Sequence, residues 1–293
     1  MTLQDPMPEP EVWSARQSQV GAATVYRALP QRPRRTVGTW CFLDYLGPGE
    51  PAEGGPGIGP HPHIGLQTVT WMISGEMLHR DSLGSEQVIR AGELNLMTAG
   101  RGIVHAEERV GDGPVELAQL WVAQPSSTRN SESAFEHHDD LQHVEFGDAE
   151  ATVLVGELGG VASAARRDTD HFGADLTLHG HATVPLDTRH EHVLVPIHGA
   201  VRAGETTLEA PQLLYLPTGR SEVGLSCSEQ SRLLMLGGEP FDEKVLMWWN
   251  YVGRTREEVS EAHLEWTTRS ERFMVPDSAL PSIDVDPPPW ETR

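Results

Sequence analysis

The sequence predicts an all-β protein built as two barrels of similar design, and three observations lead there. The 29 glycines and 22 prolines are spread along all 293 residues, which favours many short elements joined by turns over long helices. Short runs rich in β-branched and large apolar residues recur between those turns. A turn pattern from the first half also returns in the second.

The first half supplies Trp40–Leu43, Gln67–Met72, Val88–Ile89, Leu94–Met97 and Leu117–Val122 as strand-like runs. The second supplies Leu176–Leu178, Val193–Ile197, Gln212–Leu216 and Arg232–Leu236. The repeat is specific: Gly92, five residues, then Thr98-Ala99-Gly100 matches Pro211, five residues, then Pro217-Thr218-Gly219. Upstream in each copy stands a similar turn, at Gly75 and at Gly199. Between the halves, Pro125–Asp140 is polar and without periodicity, and reads as a loop and linker. The expected domains are 1–135 and 136–293. One helix is signalled, late in the second: Thr255 and Glu258 have the capping-box spacing, and Val259, Ala262, His263 and Trp266 follow on one face. The proline-rich tail beyond Met274 is irregular, with Trp290 placed to pin it to a barrel.

Composition excludes several function classes. Lys+Arg 22 against Asp+Glu 43 gives a formal charge of −21, which repels phosphate backbones and anionic lipid surfaces, so direct nucleic-acid binding is not expected. No apolar stretch reaches the length of a membrane span, and Met1–Pro10 lacks the basic and apolar regions of a signal peptide. A soluble cytoplasmic protein is the expectation, and nothing in the chain forces it beyond a monomer. Cys41 and Cys227 are too few for a disulfide framework or a thiolate metal site.

The 14 histidines are the conspicuous excess. His61 and His63 stand at i and i+2, so on a strand their side chains point to one face; His105 and Glu107 repeat the arrangement. If both segments line one barrel, three imidazole nitrogens and one carboxylate converge as ligands for a divalent ion, with up to two octahedral positions left open. Gly100 and Gly102 allow the sharp turns that aim the His105 strand inward. Gly55, His61-x-His63, Gln67, Gly75, then Gly92 through Gly100 to His105 follow the two-part cupin layout in order and spacing.

The residues also resemble a named family. The run from His61 through Thr70, the turn His79-Arg80-Asp81-Ser82, Met97 through Glu107, Leu120-Trp121-Val122 and Leu236 through Pro240 are similar to the pirin signature. This resemblance implies two tandem cupin domains, jelly-roll β-barrels, with a short C-terminal helix. It implies one metal per chain, usually iron, on His61, His63, His105 and Glu107 of the first barrel; imidazole and carboxylate also suit Mn, Ni, Cu or Zn. Some pirins resemble quercetin 2,3-dioxygenase, which takes a small aromatic flavonol and dioxygen; Glu107 is then both ligand and candidate catalytic base. Others act as redox- or metal-dependent regulators that bind a transcription factor or a metabolic enzyme. The family usually has Arg-Gly-Phe-Glu-Thr after the second histidine, where this chain has Ile64-Gly65-Leu66-Gln67-Thr68, so a charge pair is missing near the site. The linker offers Ala134–His138 in place of the family's Pro and Tyr.

The second barrel is expected to hold no metal. His190 and His192 lie only nine and seven residues before Gly199, against twelve from His63 to Gly75, and Gly219–Glu222 offers no third histidine. These histidines, with His179, His181 and His198, read as solvated or hydrogen-bonded strand residues. His79 and Asp81 read as a buried hydrogen bond fixing their turn, and Glu108 as a surface acid on the face opposite Glu107.

Overall fold

The computed structural model describes residues 8–47, 55 and 57–291. Two compact units contain these residues, each built from a seven-stranded and a four-stranded antiparallel sheet. This is the expected all-β architecture of two cupin barrels.

In the unit carrying the His61 and His105 segments, the larger sheet runs, in spatial order, Ala134–His138, Leu94–Thr98, Leu66–Ser74, Glu116–Ala123, Trp40–Leu46, Ala23–Leu29, Arg16–Val20. The smaller sheet is Gly57–His63, Ile103–Arg109, Glu76–Asp81, Glu86–Arg90. Leu66–Ser74 is buried along almost its whole length, with Leu66, Val69 and Met72 fully enclosed, as a central barrel strand must be. The corner after it is turned by Gly75, whose φ of +82° belongs to the region open to glycine. Gly199 turns the matching corner of the other unit at φ +69°, so the sequence repeat marks equivalent places in two like barrels.

The other unit has the order Glu11–Ser14, Gln212–Leu216, Glu191–His198, Ser231–Gly238, His171–Leu178, Ala149–Val155, His143–Phe146 in its larger sheet. Its smaller sheet is His181–Pro185, Glu222–Ser226, Ala200–Ala203, Thr206–Glu209. Inward positions two apart, such as Ala174, Leu176 and Leu178 or Leu233 and Met235, fill its interior with apolar side chains.

Two elements cross the boundary expected at 135/136. Glu11–Ser14 pairs with Gln212–Leu216, and Trp13 stacks on Tyr215 at 4.9 Å and 13°, so an N-terminal strand completes the second barrel's sheet. The helix Arg256–Thr267 belongs with the first barrel, because its buried face of Val259, Ala262 and Trp266 packs on Ile64 and Val104. Its start is as expected: the Thr255 hydroxyl accepts from Glu258 N–H at 3.2 Å. Trp290 pins the tail to that helix through a 3.0 Å bond from Nε1 to Ser260 Oγ.

The linker reading is corrected. Ala134–His138 is an edge strand, paired Ala134↔Thr98 through His138↔Leu94, because the ladder groups of Leu94–Thr98 need a partner that outweighs the weak local pattern.

Candidate metal centre

His61 and His63 lie on Gly57–His63, and His105 on the antiparallel partner Ile103–Arg109 with His105 opposite His61. The pairing shifts register between His105 and Glu107, a bulge that re-aims the side chains beyond it. Gly57, at φ +120°, makes the approach possible: a Cβ there would meet the Glu107 carbonyl oxygen at 2.2 Å.

All three imidazoles are buried, with one ligand nitrogen of each lying within 4.8 Å of the other two. Their proton positions follow from their partners. His61 Nδ1 is 2.8 Å from the Gly59 carbonyl and His63 Nδ1 is 3.0 Å from the Asn250 carbonyl. A carbonyl only accepts, so both Nδ1 atoms carry the proton and both Nε2 atoms present a lone pair. His105 is set by a longer chain. His79 Nε2 lies 3.1 Å from Asp81 Oδ2 and donates to it, leaving His79 Nδ1 as acceptor for His105 Nδ1–H at 3.5 Å. His105 Nε2 is thereby also a lone pair.

With these tautomers His63 Nε2 and His105 Nε2 face each other at 3.1 Å, each presenting a lone pair. A shared cation turns that repulsion into coordination, and so the donor set fits a divalent ion of the imidazole-preferring class. Burial keeps the set neutral. Desolvation pushes His61 down to about 4, and takes His63 and His105 well below the usual imidazole range with added repulsion from the neighbouring rings.

Glu107, expected as a fourth ligand, is not brought into this cluster. Its Oε1 accepts a 3.2 Å hydrogen bond from Thr70 Oγ1, whose single proton is shared with Gln119 Oε1 at 2.9 Å. Desolvation holds the Glu107 carboxyl above its ordinary range, and the Thr70 hydrogen bond offsets this only in part. Glu108, read as a surface acid, instead pairs with Arg80 at 3.0 Å with its side chain 13% exposed.

Aromatic rings wall the centre. Trp121 meets His63 edge-on at 5.3 Å and stacks on Phe42 at 4.1 Å, while Phe135 stacks on His79 at 4.3 Å. Of the altered family positions, Ile64 passes its carbonyl to Val252 N–H at 3.1 Å and Gln67 donates to Thr98 Oγ1 at 3.0 Å. The sequence reading missed Asn250, which acts through its backbone and leaves no side-chain signal. It also gave Thr70 and Gln119 no role, although Thr70 sits two residues from Thr68 on the inward alternation. His79 and Asp81 carried the same i, i+2 signal as His61 and His63.

Two cupin barrels with a buried histidine triad in the first define a double-cupin protein built to hold a metal ion. The Pirin family profile matches residues 22–122, and the Pirin C-terminal cupin domain matches residues 173–273. The chain belongs to the pirin family. A Pseudomonas aeruginosa protein provisionally named a quercetin 2,3-dioxygenase is 43% identical over 95% of this chain and 90% of its own. A pirin-like protein of Caulobacter vibrioides is 34% identical over 91% of this chain and 95% of its own. The crystal structure of quercetin 2,3-dioxygenase from Acinetobacter baumannii superposes with a TM-score of 0.91 at 40% identity, covering 96% of each chain. Among the described residues, no helix is long and apolar enough to cross a membrane.

Proposed function

We propose that the chain is a non-haem iron dioxygenase of the quercetinase type, acting on flavonol-like aromatic compounds. The observation that carries this reading is the buried triad itself, with His63 Nε2 and His105 Nε2 only 3.1 Å apart, beside the carboxyl of Glu107. Similarity to proteins named for that activity supports it.

His61, His63 and His105 would hold the ion, with Glu107 able to turn from Thr70 toward it. When bound, an iron ion supplies Lewis acidity and one-electron redox chemistry. The protein supplies the rest. Gly59, Asn250 and the Asp81–His79 pair fix the three imidazoles, so these rings need no reorganisation on loading. Glu107, held above the usual carboxylate range, accepts the enolic hydroxyl proton of the substrate, and Thr70 then steadies the protonation state through its hydroxyl. Trp121, which meets His63, and Phe135, which stacks on His79, surround the imidazoles with apolar surface.

The test is dioxygen uptake by the iron-loaded chain with quercetin as substrate. Wild type consumes dioxygen, and Glu107→Gln lowers the rate by roughly 10²–10⁴-fold. Wild-type traces matching that variant would overturn the reading. Iron uptake without turnover would favour a metal-dependent binding protein.

A further inference from the structure

The geometry points to a second site for a divalent transition ion of the zinc class, formed by Asp170, Asp187 and His190 in the C-terminal barrel. This inference stands apart from the proposed activity, because none of these residues belongs to the first barrel's centre.

The three residues meet where two strands begin. Asp170 precedes His171–Leu178, and its carbonyl accepts from Glu239 N–H at 3.0 Å. Asp187 and His190 close the turn leading into Glu191–His198: His190 N–H donates to the Asp187 carbonyl at 3.0 Å, and Arg189 N–H to Asp187 Oδ1 at 2.8 Å. One ligand atom from each of Asp170, Asp187 and His190 lies within 4.8 Å of the other two.

His190 gives the carboxylates their meaning. It is 5% exposed and neither ring nitrogen has a hydrogen-bond partner. Such a group calls for an ion or an ordered water. Its ring lies beside Phe172 at 6.2 Å and His192 at 6.1 Å, so it is held by packing rather than by polar contacts. Nε2 stops 3.6 Å from Asp170 Oδ2, too far for a hydrogen bond. It is the right distance for two ligands of one ion, since atoms 2.0–2.2 Å from a tetrahedral metal lie roughly 3.3–3.6 Å apart. An imidazole with two carboxylates is a donor set for zinc and its neighbours.

A cation already stands at this place. Arg189 pairs with Asp170 at 2.9 Å, Asp187 at 2.6 Å and Glu239, and Arg167 reaches Asp170 Oδ1 at 3.3 Å. The Arg189 side chain is 58% exposed, so these ion pairs are weak and screened. It can swing outward onto Glu239 and leave Asp170 and Asp187 to the metal. Arg189 then acts as a displaceable guard that sets the affinity. The sequence comparison with the first barrel could not find this set, because it uses two aspartates at positions unrelated to His61, His63 and His105. The solvated reading of His190 and His192 is corrected too: both are buried with unpartnered nitrogens.

The test is calorimetric titration of the metal-stripped full chain with Zn²⁺, for wild type, Asp170→Asn/Asp187→Asn, His105→Ala and Arg189→Gln, each checked by circular dichroism. Wild type binds one equivalent more than the double aspartate variant. His105→Ala keeps that equivalent, which separates it from the first centre. Arg189→Gln binds it about tenfold more tightly. Equal stoichiometry in wild type and the aspartate variant would place any extra zinc on surface histidines and overturn the proposal. So would an unchanged or weaker affinity in Arg189→Gln, which tests the site even where the aspartate variant fails to fold.

Discussion

His79 Nδ1 lies 3.5 Å from His105 Nδ1, on the side of the ring away from the other two histidines. The contact makes His79 the acceptor that fixes the tautomer of His105, and Asp81 in turn fixes His79 while its own Oδ1 is tied to Leu83 N–H at 2.9 Å and Ser85 N–H at 3.1 Å. The anchor is therefore a turn, and the ligand is steered at two removes from it.

Substituting His79→Ala or Asp81→Asn is expected to weaken metal binding by about 10–100-fold while leaving the fold intact, since outer partners of ligand histidines contribute on that scale. Metal titration with circular dichroism checks it. An affinity within twofold of wild type would show that His105 is oriented without the pair.

Gly65 links the His63 strand to the central strand of its barrel. Its φ is +67°, and a Cβ there would lie 2.2 Å from the Val252 carbonyl oxygen. Gly65→Ala is expected to destabilise by about 2–5 kcal/mol, joining left-handed strain to overpacking. Gly92, at φ +83° with nothing within 4 Å of a Cβ, serves as the control, and Gly92→Ala should cost about 1–2 kcal/mol. Chemical denaturation of the two variants separates clash from strain.

Both barrels and the late helix were legible because their signals are local: glycine and proline turns, period-two runs, and the Thr255 cap. The histidine triad was legible for the same reason, two i, i+2 pairs on neighbouring strands. What escaped depends on contacts distant in sequence. Glu11–Ser14 has no pattern that names Gln212–Leu216 as its partner. The helix shows which face is apolar, and not that Ile64 and Val104 receive it. Glu107 keeps the ligand spacing, and no local pattern names the Thr70 hydroxyl that donates to its carboxyl. At His137 the polar composition concealed an edge strand, whose role rests on the open ladder of Leu94–Thr98.

Glu191 is buried in the C-terminal unit and gathers Tyr215 O–H at 2.7 Å, Gly38 N–H at 2.7 Å and Arg34 at 3.0 Å. Glu191→Ala leaves those donors without an acceptor and is expected to cost about 2–5 kcal/mol. Glu191→Gln keeps one carbonyl oxygen and should cost roughly 1–2 kcal/mol. Urea midpoints for both variants check the order.

Stability without metal should fall as the solution is acidified. Burial holds His61, His171 and His192 each at about 4 in the folded chain, against about 6.5 when unfolded. Between those values the unfolded chain binds more protons, so stability is full above about pH 6.5 and is lost progressively toward pH 4. Thermal midpoints across that range should decline, and His192→Gln should flatten the decline. A flat profile in the metal-free wild type would contradict the neutral, buried state of these rings.

The carbonyl that aims His63 comes from Asn250, far along the chain from the three imidazoles it serves. A fragment ending at residue 140 would carry every histidine of the centre and still lack the acceptor for one of them, together with the helix that covers Ile64 and Val104. During synthesis, then, the centre cannot reach its final geometry until Asn250 and the helix that follows it have left the ribosome.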